Sequence, residues 1–529
     1  MLSLRRPDPG RVERKLAKLA YRRIHPRWPW WATVFVALVV LGMPALLVKA
    51  IGGVIAVAII LFVRRHPVGG LLWLIVLVPF QLQVFPALYR VGMPAEVVRS
   101  LGQWKEIVII GVLLAGWSKA RQEHHRLDAL DYVALGYVAL GTLYLALPGP
   151  FVGDQLGAGL DFNTRLMGWR TDVLYIALFV ACRHLRLDSE AVRKVTKTFL
   201  VVATVIAAVA FYEFFFAASW NNFMVNTLQL PQYKLNVLNI NPLTDHYLYD
   251  IRVYTKVGGH DVLRAGSVML SYWTLGYYMV IAAAVLTDRI VRGLARPYHY
   301  GALALACGAT LFTNTRSAVL ALGAVLVVTL VRRSKRTQRA ERARVQFALV
   351  LGAVAIVAIP AAFATGLVNR INGEDDYSSN AGHATNFDVS YALLASHPLG
   401  RGLATAAGAG QRADVNGNQV TETQYLQIGT QLGVLGLVLW LATLVGSIVA
   451  LGRVVGRAPP YADTRLATSL RAGLIGMFVA GIFLQVFIDF PLSWTVWLLA
   501  GVALGHVEGA AARANVDVPA RSQHALGAG

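Results

Sequence analysis

Charge is what this chain has least of. Only 15% of its 529 residues are Asp, Glu, Lys or Arg, against roughly 25% in a soluble globular protein, which excludes a water-exposed surface over most of its length. Cysteine is almost missing. Cys182 and Cys307 both sit within apolar runs, so a disulfide framework and a cysteine metal site are excluded and packing is their expected role. No GxGxxG follows a strand pattern, and there is no P-loop, no GxSxG and no HExxH. Nucleotide-dependent and zinc-hydrolase chemistry therefore have no residues to stand on. No cleavable signal peptide is visible, because the first 27 residues form a basic arm longer and more charged than an ordinary n-region.

What is present is hydrophobicity. It makes up 56% of the chain, arranged in runs near membrane length. Backbone groups inside a bilayer must bond internally, so these runs are expected to be helices. The fold class expected is an all-α polytopic membrane bundle of 12–14 transmembrane helices, best counted as 14 with both termini inside. The net charge of +21 follows position rather than a nucleic-acid footprint: 35 of the 49 Lys and Arg fall in segments assigned to the cytoplasmic side, as the positive-inside bias and anionic lipid favour. No soluble segment alternates basic residues with aromatics, so nucleic acid is not an expected partner. The expected divisions are a basic arm over 1–27, a membrane domain over 28–508 with outer loops at about 220–267 and 367–429, and a loose cytoplasmic tail over 509–529.

The chemistry-bearing candidates lie at expected outer ends of spans. Arg316 occupies the polar pentapeptide Thr313–Ser317 between two short apolar runs. A charge there costs too much to face lipid and is expected to face a cavity or an anion; a snorkelling turn residue is the plainer alternative. Arg165, Arg170 and Arg264 also precede spans. Several guanidinium forks together could hold a pyrophosphate without a metal, although each alone could be an interface anchor. Glu422 enters a long helix three residues before Tyr425, where it could serve as a general base or as a helix-end residue. Glu213 sits inside an apolar span and needs a partner, with one of the arginines a candidate. The run Glu374–Asp376 has no metal-loop spacing and reads as a solvated turn, so no metal or other cofactor is expected. His383 stays an open candidate, His397 reads as structural, and His246 and His260 are unassigned.

These residues resemble a known family. FTNTRSAVLALGAVLVV, SHPLGRGLATA, TETQYLQIGTQLGVLGLVLW and LRAGSVMLSYWTLGYYM resemble, in order and spacing, the motifs of the O-antigen ligase and O-antigen polymerase superfamily, covering about Arg264 to Leu451. The resemblance implies a metal-independent, inverting, GT-C-like membrane glycosyltransferase with a long extracytoplasmic loop. Its donor would be a glycan on undecaprenyl pyrophosphate and its acceptor another sugar, with membrane lipid and other polysaccharide-assembly proteins as partners. It also implies that Arg316 and Arg264 hold the pyrophosphate. Arg401 and Tyr425 lie within the matching motifs and are expected to bind substrate, as are Arg165, Arg170 and His383. The chain departs from the ligases in carrying Glu422 where they carry His, and in lacking the Arg usual after the acidic part of the long loop. Both departures favour a polymerase of an exopolysaccharide, capsule or cell-wall glycan over a lipopolysaccharide ligase. The rival classes are a flippase of lipid-linked oligosaccharide and a protein O-oligosaccharyltransferase.

Overall fold

The computed structural model describes residues 45–147, 160–240, 248–257, 260–331, 377–406, 421, 423–459 and 461–525. The chain divides into two compact units, Met1–Ala58 and Ile59–Gly529, and the second holds the candidate site. In chain order the elements are α1 (Ala45–Arg65), α2 (Pro67–Leu77), α3 (Gln81–Arg90), α4 (Ala95–Leu101), α5 (Trp104–Gln122), α6 (Ala129–Ala146), α7 (Phe162–Asp172), α8 (Leu174–His184), α9 (Ser189–Phe215), α10 (Ala217–Asn222), α11 (Leu230–Asn236), β1 (Val253–Val257), β2 (His260–Arg264), α12 (Tyr272–Val291), α13 (Pro297–Phe312), α14 (Arg316–Val331), α15 (Tyr377–Ser396), α16 (Gln424–Arg457), α17 (Arg465–Gly481) and α18 (Phe490–Ala525). The two strands pair antiparallel, Val253 opposite Arg264. The protein is an all-α polytopic membrane protein.

Among the described residues, five helices are long and apolar enough to cross a membrane: α6, α9, α12, α16 and α18 over Phe490–Ala514. The pair Gly52–Arg65 and Pro67–Leu77, bent by 114°, makes a sixth if it is one span. The expected crossing at Phe347–Ala364 and most of the one at Trp30–Val48 lie outside the described residues. Burial sorts the helices. In α12 and α18, 94% and 89% of the spanning window is buried, against 33% in α6 and α16. The first two are the bundle's centre and the others turn valines and leucines, such as Val434, Leu435 and Val438, outward. Apolar residues on an outer face suit lipid, which supplies no penalty for them. Around α12 pack α13, α14 and α17; α18 packs on α8, and α16 on α6 and α17. Small residues allow the closest approach: a Cβ on Gly505 of α18 would stand 1.9 Å from the Arg183 carbonyl of α8. Tyr175, Phe179, Phe487 and Trp497 interlock beside it.

One end of the bundle is pinned by a buried cation. Arg183, in the last turn of α8, ion-pairs Asp131 at 2.8 Å, Glu508 of α18 at 2.7 Å, and Asp128, the N-cap of α6. Burying a guanidinium is costly unless acids surround it, and three helices supply the cation and its acids.

Three stretches are more ordered than composition alone suggests. Within the long polar loop, α15 covers Tyr377–Ser396, a segment with few helix breakers. The polar stretch expected as a second loop, about 220–267, folds into α10, a π turn at Phe223–Thr227, α11 and the β hairpin. The final helix runs on to Ala525, through the alanine-rich segment expected as a loose tail, because alanine carries the highest helix propensity. The apolar stretch over 68–85 divides into two helices, since α2 stops at Leu77 and α3 starts at Gln81.

Candidate functional site

Arg316 opens α14, directly after a tight turn. Helix α13 ends at Phe312, and Asn314 then adopts φ +50°, a left-handed conformation that Asn tolerates better than most residues. The Thr315 carbonyl accepts from Ala318 and Val319, each at 3.1 Å, and so starts α14. Here the hairpin contributes. Arg264, the last residue of β2, donates from Nε to the Thr313 carbonyl at 3.1 Å and from Nη2 to Thr315 Oγ1 at 3.2 Å. Its guanidinium lies 3.3 Å from the centre of the Tyr272 ring. Ala265 N–H donates to the Phe312 carbonyl at 3.0 Å, and Tyr277 of α12 hydrogen-bonds Ser317 at 2.7 Å. Two arginines far apart in sequence are therefore mounted on one turn at a helix N-terminus, where amides and dipole both favour an anion. Asn314 is 3% exposed, and neither amide atom has a partner among the described residues.

Glu213 holds the backbone turn that follows β2. The Ser267 amide donates to its carboxylate, and Ser267 Oγ donates to the Ile206 carbonyl at 2.8 Å. The expectation that Glu213 pairs with an arginine is thus corrected to a backbone amide. The reason is local: Ser267 and Leu270 have positive φ, which leaves amides out of any ladder, and a buried amide needs an acceptor.

The second part of the site is a backbone joint. Helix α16 breaks at Gly433, whose φ of +71° is not helical. The turn of SHPLGRGLATA docks into the break. Arg401 and Gly402 donate their amides to the carbonyls of Thr430 and Gln431, at 2.7 and 2.9 Å, and Val434 donates to the Pro398 carbonyl at 2.8 Å. Ala404 N–H donates to Gln431 Oε1 at 2.8 Å. Groups freed by breaking a helix inside a span must find partners, and this turn supplies them. It leaves no room for side chains: a Cβ on Gly400 would come within 2.4 Å of Gly433 N, and one on Gly433 within 2.4 Å of the Pro398 carbonyl.

The other candidates take separate places. Arg401 is half-buried at that joint. Tyr425 is fixed by packing, its hydroxyl donating to the Phe478 carbonyl and its ring meeting Trp440 and Phe478. His383 falls on α15. Glu422 lies outside the described residues, but its neighbours are held on either side. Thr421 Oγ1 accepts from Gln485 Nε2 at 2.7 Å, and Thr423 is the N-cap of α16, accepting from Leu426 N–H at 2.9 Å. The capping role considered for Glu422 thus belongs to Thr423. Arg165 and Arg170 do not join the other two arginines. Arg165 reaches the Leu147 carbonyl at 2.8 Å. Arg170 pairs with Glu106 and lies 5.8 Å from the Phe490 ring centre, in the wall of a cavity whose lining includes neither Arg264 nor Arg316. Sequence reasoning missed Lys105 and Asp489, which share that wall; a Lys-Glu pair at the head of an apolar run was the available signal. Among the described residues, no three or more of His, Cys, Asp and Glu group to hold a metal ion.

The fold and this turn define a multi-pass helical membrane protein with a cationic helix N-terminus braced from a β hairpin. Residues 301–441 match the family model described as O-antigen ligase. The match runs from α13 past the break in α16 and takes in Arg316, His383, Arg401, Glu422 and Tyr425, whereas Arg264, Arg165 and Arg170 precede it. It supports a membrane glycan ligase or polymerase in general terms. No curated protein matches the chain.

Proposed function

We propose that the protein transfers a glycan from undecaprenyl pyrophosphate to an acceptor sugar on the outer face of the bacterial cytoplasmic membrane, as a polysaccharide polymerase or ligase. One observation carries this reading: Arg264 is locked onto the turn that presents Arg316, and that turn lies inside the stretch that matches O-antigen ligase. In the reaction the acceptor hydroxyl oxygen forms a bond to the anomeric carbon from the face opposite the leaving group. The bond from that carbon to the pyrophosphate oxygen breaks, and its electron pair goes to the pyrophosphate. Arg316, Arg264 and the amides opening α14 offset the charge that develops there. The acceptor proton goes to a carboxylate, for which Glu422 is the candidate beside the head of α16. Energy is already stored in the lipid-linked donor, which agrees with the missing nucleotide motifs.

Purified protein incubated with lipid-linked repeat units tests this. Lengthened glycans mean polymerase, and transfer to an added lipid-linked core means ligase. Transfer to protein would indicate an oligosaccharyltransferase. Movement across a vesicle without covalent change would replace the proposal by a flippase, a class in which interrupted helices such as α16 are common.

A further inference from the structure

Asn314 stands in the turn that carries Arg316, and it differs from its neighbours there. The hydroxyls around it are satisfied. Thr310 Oγ1 donates to the Ala306 carbonyl at 2.9 Å, Thr313 Oγ1 to the Thr310 carbonyl at 2.7 Å and Thr315 Oγ1 to the Thr313 carbonyl at 3.2 Å, while Ser317 meets Tyr277. Asn314 is as buried as they are, at 3% exposed, yet its Nδ2 and its Oδ1 both lack a partner among the described residues. Buried side-chain polar atoms are nearly always hydrogen-bonded, so an amide with neither end paired calls for a cause. Backbone conformation does not supply it. Asn tolerates the φ of +50°, but glycine adopts that conformation with no amide to bury.

The position of Asn314 narrows the cause. Arg264 bonds the residue on either side of it, through the Thr313 carbonyl and Thr315 Oγ1, so the backbone at 314 is fixed where both arginines are mounted. The side chain has no hydrogen bond to give up, and turning it toward a ligand breaks none. A carboxamide carries a donor and an acceptor on one carbon. The donor end suits an anion at the head of α14. The acceptor end does not, and needs an O–H or N–H directly beside that anion. On a glycosyl pyrophosphate, the group beside the pyrophosphate is the substituent on carbon 2 of the sugar. We infer that Asn314 is a specificity-determining residue for the glycosyl donor, its Nδ2 donating to a pyrophosphate oxygen and its Oδ1 accepting from a hydroxyl or acylamino N–H on carbon 2. This assignment rests on the function proposed above.

The test is direct binding to full-length protein in nanodiscs, with melting temperature read on the same samples. The probes are farnesyl pyrophosphates carrying glucose, N-acetylglucosamine or 2-deoxy-2-fluoroglucose, whose fluorine has no proton to donate. Wild type should bind the first two at least about fivefold more tightly than the third, the size expected of one hydrogen bond. Asn314→Gly should bind all three alike and no better than wild type binds the fluoro sugar. Without ligand it should melt above wild type, because two unpaired buried polar atoms are gone. Asn314→Asp keeps the shape and an acceptor but brings charge in place of a donor, so it should weaken all three probes while keeping the preference among them. Equal binding of the three probes by wild type, or a glycine variant that keeps the preference, would overturn the inference and leave the proposed function standing. A glycine variant that melts below wild type would show the amide to be paired in the free chain and would overturn it too. Arg316→Ala is the separate control. Probes that bind it as they bind wild type, or that bind neither, would refute the proposed function and the inference with it.

Discussion

Gly400→Ala probes the joint between the glycine turn and α16, and the structure sets its size. At φ +83° an alanine costs about 1–2 kcal/mol relative to glycine. The added Cβ would lie 2.4 Å from Gly433 N and 2.6 Å from the Gln431 carbonyl. Both are backbone atoms with no rotamer to yield, so overpacking adds about 1–3 kcal/mol. If the turn backs away, it loses the Arg401–Thr430 or Gly402–Gln431 hydrogen bond, each worth about 1 kcal/mol. A total of about 3–6 kcal/mol is expected from these terms, applied to the segment that carries Arg401 and leads toward Glu422. Glycan transfer should fall to background, with a lowered melting temperature in detergent. Gly433→Ala breaks the same contact from the other side, so the double variant should cost much less than the two singles together. Gly323→Ala is the control: its Cβ would meet nothing within 4 Å, and alanine there should be neutral or stabilising by up to about 1 kcal/mol. If Gly400→Ala melts and turns over like Gly323→Ala, the docking of the turn into α16 is refuted.

Arg316→Ala should abolish transfer at normal expression, and Arg316→Lys should restore little, because a point charge cannot copy a bidentate fork; full activity in the alanine variant removes the anion-binding argument. Glu422→Gln should cost about 10²–10⁴ in rate if the carboxylate is the base, whereas Thr423→Ala should cost about 1 kcal/mol of stability as a lost cap with turnover nearly intact; turnover and melting measured on both variants separate the roles. With Cys182 and Cys307 replaced, single cysteines at Ser378 and Gln411 should react with an impermeant thiol reagent in intact cells and one at Ser334 should not; the reverse pattern would put the arginine turn in the cytosol. Asp128 is held down to about 2, chiefly by its hydrogen bond from Arg183. A depressed carboxylate contributes stability above its unfolded value near 4 that is lost as pH falls toward 2, so the wild type should lose more melting temperature between about pH 5 and pH 3 than Asp128→Asn does.

Much of the membrane architecture was legible because lipid leaves few options. A run of apolar residues must be a helix. The arginine set was legible only in part. Arg316 announced itself as a charge between short apolar runs. That Arg264 braces the same turn, while Arg170 turns to Glu106 and Phe490, depends on tertiary contacts that spacing along the chain cannot carry. Glu213 misled for a related reason. An acid inside a span needs a partner, but which one depends on where the backbone runs short of acceptors, and here that is the turn at Ser267. The long loop hid α15 because polar composition reports exposure and not conformation.

The glycines explain why the matching motifs show so little obvious chemistry. Breaking α16 at Gly433 strands carbonyls and an amide in a buried stretch, at a cost of several kcal/mol if they stay unpaired. Another stretch of backbone pairs with them, and glycine at 400 and 433 leaves it room, with 400, 402 and 433 all at positive φ. A straight α16 would leave the turn nothing to pair with, so the break and the turn require each other. Their joint ties Arg401 and the approach to Glu422 to a span, just as the hairpin ties Arg264 to the turn of Arg316. Both halves of the candidate site thus rest on backbone hydrogen bonds. A pattern of glycines and small residues is accordingly the expected signature here, with few reactive side chains standing out around it.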